Sequence, residues 1–398
     1  MKEQVFARID QCRGELVDLA DRIFDNPELS MEEHQASTWL ADSLERYGFF
    51  VERGIAGLET AFRATFESGH GGPSFGLLCE YDALEKQGHA CGHHAQGPCI
   101  LGAAIALKDA AAGRDFKVVV YGTPAEERYS GKNIMIEKGC FKDIDVAFMM
   151  HMDGATRVDV KYLANIHYQV IFRGIAAHAG RKPEEGRSAL DALILSFNGI
   201  EFLREHVIDD VRMHYTVVDA GAPANSVSPR AVGSFILRSY DMEYLEQVAA
   251  RFRKIMEGAA LMTETSVEII EETRMYNMIP ILTLNDLLME NAHLVGAPQI
   301  QPPRAKTGSS DFMNVCHILP GACIRMAFVP ITVGPHSQGY YDAGKTELCH
   351  NSMIQGAKII AGAICDLLEK PELLDAVKKE FTENQLHKNR QTYTGPYS

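Results

Sequence analysis

The chain has 398 residues, too many for one ordinary core of about 100–200 residues, so two domains or one large domain with an insert are expected. With 46% hydrophobic and 23% charged residues, the composition is typical of a globular protein and excludes a disordered or fibrous one. The 39 basic and 53 acidic side chains give a formal charge of −14, which disfavours nucleic acid and anionic membrane surfaces as partners.

Two further features predict a cytoplasmic protein that is not inserted in a membrane. Residues 1–8 lack the apolar core of a secretory signal, and no run of about 18 apolar residues occurs. The nine cysteines are odd in number, widely spaced and mostly in apolar surroundings, which is typical of reduced thiols in the cytosol.

Two helices are predicted at the start of the chain. Apolar side chains recur at helical spacing over residues 3–26, and a second helix is expected to end near residue 46. Before this second helix, Ser30 is followed three residues later by Glu33. This spacing is typical of a capping box, in which both side chains bind free backbone N–H groups of the helix.

Strands and helices then alternate up to about residue 165. Near-continuous apolar runs predict buried strands over 75–79, 116–121 and 146–150. Such alternation indicates an α/β fold, with a mixed sheet that is flanked by helices.

The order of elements changes near residue 166. A strand, a helix, two strands, a helix and a strand are predicted over 166–276, which is the order of a ferredoxin-like α+β unit with its own sheet. The following helices and strands can complete the first sheet. We therefore expect a discontinuous catalytic domain of residues 1–165 and 277–398, interrupted by an inserted domain of residues 166–276.

The densest group of potential metal ligands lies in residues 88–94. Cys91 and His93 are separated by one glycine, and a tight turn at that glycine would direct both side chains toward one point. Without further ligands, such a pair is more often structural than metal-binding.

Two more clusters follow predicted strands. Residues 123–127, which end in Glu126 and Glu127, come directly after a buried strand, at the position where α/β folds place their chemistry. Because neighbouring residues of an extended segment point to different sides, one carboxylate can bind a metal ion while the other handles protons. His151 ends the next apolar strand and adds an imidazole to the same region.

Taken together, these motifs resemble the peptidase M20 family, in the amidohydrolase branch that has a cysteine among its metal ligands. The resemblance covers essentially the whole chain and is strongest to the aminobenzoyl-glutamate hydrolases and related dipeptidases. The segments that carry it are 26–33, 82–84, 89–93, 124–127, 151, 174–180, 225–229, 336–337 and 350–353.

The resemblance implies a site with two divalent metal ions. Cys91 would bridge the ions as a thiolate, and Glu126 would be the general base that takes a proton from water and passes it to the leaving amine. The remaining ligands implied are His93, Glu127, His151 and His336. This donor set is compatible with Zn, Mn, Co or Ni and does not choose among them.

The sequence departs from the branch pattern at His94, where Asp or Asn is common, and at Gln96, where another His is common. These departures affect the surroundings of the ligands and not the ligands themselves. Asp82 is the candidate for orienting His93. His336 is preferred over His350 as the last ligand because the serine after it matches the family more closely.

The resemblance also assigns roles in the inserted domain, as a lid and dimerisation domain. His178 would reach across a homodimer interface to the oxyanion of the partner's site, although by residue type alone it is a surface-loop histidine. Asn225 and Arg238 would bind a carboxylate of the substrate. The expected substrate is therefore a small anionic N-acyl amino acid or dipeptide, cleaved at its amide bond.

Two other hypotheses remain open at this point. Cys91 could be the nucleophile of a cysteine hydrolase with a neighbouring histidine as base, but three of the other candidate ligands would then have no role. The chain could also be a non-catalytic binding or scaffold protein of the same fold, with His94 and Gln96 as signs of lost function.

Overall fold

The computed structural model describes residues 1–110 and 113–386, which form two compact units. The first unit comprises Met1–Val160 and the described chain from Ile279 onward, and the second comprises Lys161–Met278. Each unit has its own sheet and hydrophobic core. Residues 387–398 of the expected second catalytic segment lie outside the described part of the chain.

The helices and strands are numbered here in chain order. The helices are α1 (Lys2–Asp25), α2 (His34–Arg46), α3 (Gln96–Ala110), α4 (Gly131–Glu137), α5 (Ala189–Arg204), α6 (Met242–Thr263), α7 (Leu282–Leu294), α8 (Phe312–Val315), α9 (Gln338–Ala343), α10 (Glu347–Glu369) and α11 (Pro371–Leu386). The strands are β1 (Phe50–Arg53), β2 (Phe62–Ser68), β3 (Ser74–Cys79), β4 (Phe116–Gly122), β5 (Val146–Asp153), β6 (Arg157–Val158), β7 (Ala164–Arg173), β8 (Arg212–Asp219), β9 (Arg230–Ser239), β10 (Ser266–Met275) and β11 (Gly321–Ala327). Short 3-10 helices lie at Ile55–Gly57, His93–Ala95 and Pro183–Glu185.

The first unit contains a seven-stranded sheet with the order β1-β2-β4-β3-β5-β11-β6. Its centre, from β4 to β11, is parallel, whereas β1, β2 and β6 pair in the antiparallel sense. The sheet is therefore mixed. The predicted α/β class, with a mixed sheet flanked by helices, is confirmed.

Helix α3 shows how the helices cover this sheet. It packs against β3, β4 and β5 and also contacts α1 and α10. Residues 96–107 are all buried, so the helix is apolar around nearly its whole circumference, as expected for a helix enclosed on every side. Burial of α3 fixes the position of its N-terminal end, which adjoins the 3-10 helix His93–Ala95.

The second unit has a four-stranded antiparallel sheet with the order β10-β7-β9-β8. Helices α5 and α6 pack against each other and against β7 and β9. Ser188 and Asp241 cap these helices by accepting hydrogen bonds from backbone N–H groups of their first turns.

The predicted capping box at the second helix is wrong. Helix α2 begins at His34, and Glu33, at its N-cap position, makes no capping hydrogen bond with its side chain. Ser30 instead donates to Asp82 Oδ2 at 2.7 Å. The free N–H groups of α2 are satisfied by Glu28, which accepts from Gln35 N at 2.9 Å and from Ala36 N at 3.0 Å.

None of the helices in the described residues is both long and apolar enough to cross a membrane. The nine cysteines are free thiols, and eight of them are buried.

Candidate active site

Four acidic residues and one histidine of the first unit gather at one edge of its sheet. Strands β4, β3 and β5 are neighbours and run in the same direction. Glu80 and Asp82 follow β3, and Glu126 and Glu127 follow β4. His151 lies near the end of β5. Because the carboxyl ends of parallel strands meet at the same edge, these side chains converge there.

A glycine turn brings Cys91 and His93 to this edge. Gly92 has a φ of +84°, in the left-handed region, and a Cβ on it would lie 2.6 Å from Met152 Cβ. Both the backbone conformation and the close approach require glycine at this position. The turn leads into the 3-10 helix at His93–Ala95, and it leaves the Cys91 and His93 side chains buried side by side.

Asp82 holds His93 and Glu127 in place. Its Oδ1 and its backbone oxygen each lie 3.1 Å from His93 Nδ1, and its Oδ2 accepts from Glu127 N at 3.0 Å. Burial alone raises the pKa of Asp82, but the bonds from His93, Glu127 and Ser30 lower it below its ordinary value. Because both oxygens accept, His93 Nδ1 carries a hydrogen, and Nε2 is the ring nitrogen left for a metal ion. Burial lowers the pKa of His93, but Cys91, Asp82 and Glu80 raise it well above its ordinary value, so a metal ion would displace a proton from Nε2.

His151 is held in the same tautomer. Its Nδ1 lies 2.7 Å from the backbone oxygen of Met152, which can only accept, so Nδ1 donates and Nε2 keeps its lone pair. Nε2 is 3.7 Å from Cys91 Sγ. Burial, Arg325 and His93 lower the pKa of His151 to about 3, so the ring is neutral, as a metal ligand must be.

Two groups of potential ligands share the Cys91 thiol. The ligand atoms of Cys91, His93 and His151 lie within 4.8 Å of one another, and so do those of Cys91, Glu127 and His336. His93 Nε2 and Glu127 Oε1 are buried and make no hydrogen bond in the described chain, although Glu80 Oε2 lies 3.3 Å from the first and His336 Nε2 lies 3.6 Å from the second. Thiolate, imidazole and carboxylate donors are the set that binds divalent transition metals, so these residues fit metal ions.

Burial determines the charge of the Cys91 thiol. Burial raises the pKa of its thiol to about 12, and His93 offsets this only in part. A thiol in such a site becomes a thiolate when a metal ion binds it. The protein therefore keeps Cys91 protonated unless a cation is present.

His336 and His350 occupy different environments. His336 Nε2 lies 3.6 Å from Glu127 Oε1, and its backbone N–H donates to the Ala90 oxygen at 3.0 Å. Its side chain is 49% exposed. His350 Nε2 instead lies 2.8 Å from Asp21 Oδ1 and belongs to none of the ligand groups of the described residues. The geometry thus brings His336, and not His350, to the cluster.

A buried charge network lies beside Glu126. Lys132 has no exposed surface, and its Nζ donates to Glu80 Oε1 at 2.5 Å and to Asp311 Oδ1 at 2.7 Å. Ligand oxygens of Glu80, Glu126 and Asp311 lie within 4.8 Å of one another. Burial, followed by the charges of Glu80, Glu127 and Asp311, raises the pKa of Glu126 well above its ordinary value.

The sequence alone did not reveal this network. Glu80 directly follows buried strand β3, and this is the same signal that identified Glu126. Lys132 and Asp311 are 179 residues apart and show no local pattern, so only the fold reveals their contact.

The two departures from the family pattern have structural explanations. His94 is buried, and its Nε2 donates to the Gly344 oxygen at 2.8 Å. Gln96 donates from Nε2 to Glu80 Oε2 at 2.8 Å, and its side-chain oxygen accepts from Glu80 N at 3.1 Å. Gln96 thereby fixes Glu80, while His94 joins two segments of the first unit.

The remaining candidates lie in the second unit. His178 and Asn225 are exposed and belong to adjacent segments, since Ala179 N donates to the Asn225 oxygen at 3.0 Å. Arg238 lies on β9 and is partly buried, and this burial lowers the pKa of its guanidinium.

Comparison with known proteins identifies the family. The profile of peptidase family M20/M25/M40 matches residues 73–366. The chain belongs to this family. The family and the enzyme class expected from the motifs, a hydrolase of amide bonds, are both confirmed.

Two curated relatives have names that match the expected subgroup. The chain is 37% identical over 312 residues to one of the subunits of p-aminobenzoyl-glutamate hydrolase from Escherichia coli, a match that spans 73% of this chain and 64% of that protein. It is 32% identical over 397 residues to Xaa-Arg dipeptidase of Mus musculus, spanning 96% of this chain and 92% of the relative. The expected similarity to aminobenzoyl-glutamate hydrolases and dipeptidases is therefore confirmed.

Solved structures share the fold. The aminobenzoyl-glutamate utilization protein of Klebsiella pneumoniae superposes with a TM-score of 0.76 at 21% identity, covering 92% of this chain and 99% of that one. A Bacillus subtilis protein described as a dinuclear metal binding peptidase from the M20 family gives a TM-score of 0.70 at 19% identity, covering 90% and 99%.

Proposed function

We propose that this chain is a two-metal hydrolase that cleaves the amide bond of small N-acyl or N-aminoacyl amino acids, including dipeptides and acyl-glutamates. The observation that carries the proposal is the convergence of two ligand groups on the one thiol of Cys91. A thiolate sulfur can bind two divalent ions at once and thereby hold them close together.

Each residue of the first-unit cluster has a role in this proposal. Cys91 would be the ligand that the two ions share. The other residues that would hold the ions are His93, Glu127, His151 and His336. When bound, the ions polarise the amide carbonyl and lower the pKa of water. Asp82 keeps the His93 lone pair aimed at the ions through its bond to Nδ1–H.

Glu126 is the general base in this mechanism. A carboxylate oxygen of Glu126 lies within 4.8 Å of the ligand atoms of His93 and Glu127. Glu126 is therefore close to the place where a water molecule would react. Its carboxylate takes the proton of the attacking water as oxygen bonds to the amide carbon. It then gives that proton to the nitrogen as the C–N bond breaks, which releases a carboxylic acid and an amine.

The second unit supplies the proposed substrate and dimer contacts. Asn225 and Arg238 bind the substrate carboxylate, and His178 serves the oxyanion of the site in the partner subunit of a homodimer. The names of two relatives specify an acyl-glutamate and a dipeptide, both of which have a free carboxylate. We place the enzyme in the cytoplasm, in keeping with nine free thiols.

The alternatives explain fewer of the contacts. In a cysteine hydrolase built on Cys91, the approach of Glu127, His151 and His336 to the thiol would have no purpose. In a non-catalytic protein, the departures at His94 and Gln96 would mark decay, yet both side chains make specific buried hydrogen bonds.

The test is metal analysis of the purified protein together with a hydrolysis screen. The substrates are N-acetyl amino acids, dipeptides and acyl-glutamates, assayed before chelation, after it, and after restoring Zn, Mn, Co or Ni. We expect two divalent ions per chain and activity that is lost and regained with them. Activity that survives full metal removal would favour the cysteine hydrolase, and two ions without hydrolysis of any substrate would favour the binding protein.

A further inference from the structure

The N-terminal segment 28–33 reaches the loop that carries the proposed base. Glu33 has no exposed surface, although it lies in a connection between helices. Its Oε1 accepts from Ala125 N at 2.8 Å, and its Oε2 accepts from Thr60 Oγ1 at 2.9 Å. Ala125 is the residue directly before Glu126, so Glu33 binds the backbone next to the base.

The backbone at Ala125 needs such a contact. Its φ is +62°, a left-handed conformation that a residue with a Cβ seldom adopts and that the surrounding structure must enforce. A buried carboxyl oxygen that accepts from the Ala125 N–H supplies this enforcement. The turn after it is closed by Tyr129 N, which donates to the Ala125 oxygen at 3.1 Å.

We propose that Glu33 is a positioning residue for Glu126: it holds the left-handed turn at Ala125 and thereby fixes the direction of the Glu126 carboxylate. This role rests on the proposed function of Glu126. Glu33 does not touch the ligand cluster, so its loss should change the rate of the chemical step and leave the metal content unchanged.

Residue Glu28 provides a matched control. It lies in the same segment and also accepts backbone N–H groups, but these belong to Gln35 and Ala36 of α2. Glu28→Ala therefore removes a structural contact of comparable kind without affecting Ala125. A purely structural role for Glu33 would make the two alanine variants behave alike.

The experiment compares kcat, KM and metal content of Glu33→Ala, Glu33→Asp, Glu33→Gln and Glu28→Ala. The shorter Asp cannot reach both partners, whereas the Gln side chain can accept from Ala125 N and donate to Thr60 Oγ1. We expect Glu33→Ala and Glu33→Asp to lower kcat about 10–100-fold with little change in KM or bound metal, and Glu33→Gln and Glu28→Ala to keep kcat within about threefold. If Glu33→Ala does not fold, Glu33→Asp against Glu33→Gln decides.

Amide hydrogen exchange gives a readout that does not depend on activity. The Ala125 amide should exchange at least about tenfold faster in Glu33→Asp than in wild type or Glu33→Gln, because the shorter Asp side chain no longer accepts its hydrogen bond. If the wild type hydrolyses no substrate, the proposed function fails while this comparison still tests the contact. Equal exchange in all variants, or equal loss of kcat in Glu33→Asp and Glu28→Ala, would overturn the positioning role.

Discussion

Lys132 is the residue on which the buried charges beside Glu126 depend. Its ammonium group is the cation that Glu80 and Asp311 share in the interior. In Lys132→Met, two carboxylates would stay buried without their cation. We expect the free energy of unfolding of the metal-free protein to fall by about 3–5 kcal/mol, measured by denaturant titration.

An exposed ion pair provides the control for this prediction. Lys182 Nζ lies 2.6 Å from Glu185 Oε1, almost the same distance, but both side chains are more than half exposed. Lys182→Met should therefore change stability by at most about 0.5 kcal/mol. A loss below about 1 kcal/mol in Lys132→Met would show that the buried carboxyls simply take up protons instead.

The pKa of Glu33 leads to a separate prediction about how stability depends on pH. Burial, followed by the charge of Asp82, raises its pKa from 4.5 to about 7. Folded Glu33 keeps its proton up to about pH 7, whereas the unfolded side chain loses it near pH 4.5, so stability falls as the pH rises through this window. From pH 4.5 to 8, wild type should lose roughly 3 kcal/mol relative to Glu33→Gln.

Urea unfolding of both proteins across this pH range tests the linkage. The quantity to compare is the difference in free energy of unfolding between wild type and Glu33→Gln, because other titrating groups cancel in it. A difference that is constant from pH 4.5 to 8, or that grows in favour of wild type, would contradict the raised pKa.

Sequence reasoning identified site residues where their signal is local. Cys91, His93, Glu126 and Glu127 lie at turns or directly after apolar strands, and both features can be read from neighbouring residues. The prediction for Ser30 and Glu33 was wrong, because their spacing also suits a helix cap. Only the fold shows that Ser30 binds Asp82 and that Glu33 binds the backbone of Ala125.

At the level of elements, one helix end depends on a distant carboxylate. Glu380 of α11 accepts from Leu282 N at 2.6 Å and from Thr283 N at 3.1 Å, the first free N–H groups of α7. A carboxylate at this end also interacts favourably with the helix dipole. Glu380→Ala should therefore lower the free energy of unfolding by about 1–2 kcal/mol in a denaturant titration.

The same helix contains the control. Glu383 lies 3.8 Å from Lys379 in an exposed pair within α11. Glu383→Ala should stay within about 0.5 kcal/mol of wild type. Equal effects of the two substitutions would mean that α7 does not depend on Glu380 for its cap.

The sequence predicts for most segments whether they form a helix or a strand. It predicts less well which other elements each one pairs with or packs against. Buried parallel strands such as β3 and β5 are continuous apolar runs, and this pattern is visible without the fold. The strand order of the sheet and the contact between α7 and α11 depend on chain segments that are far apart in sequence. Periodicity does not report such contacts.

The proposed dimer role of His178 can be tested by mixing subunits. His178→Ala and Glu126→Gln chains are each expected to be inactive. If His178 serves the partner's site, a heterodimer of the two has one site with both an intact base and an intact imidazole. It should recover about half of the wild-type activity per dimer.

Heterodimers are isolated with two different affinity tags before the assay. If His178 acts within its own subunit, one site lacks the base and the other lacks the imidazole, so no activity returns. An inactive heterodimer of verified composition would therefore reject the cross-subunit role.

Cys91 and Glu126 have different proposed roles, the first as a ligand in the metal site and the second as the base beside it. The most direct measurement is metal content and kcat on the same preparations of wild type, Glu126→Gln and Cys91→Ala. Glu126→Gln should keep two ions per chain and lose at least about 100-fold in kcat, because an amide cannot take the proton of water. Cys91→Ala should lose metal as well as activity. Full activity in Glu126→Gln would contradict the role of the base, and two ions retained in Cys91→Ala would contradict the role of the shared ligand.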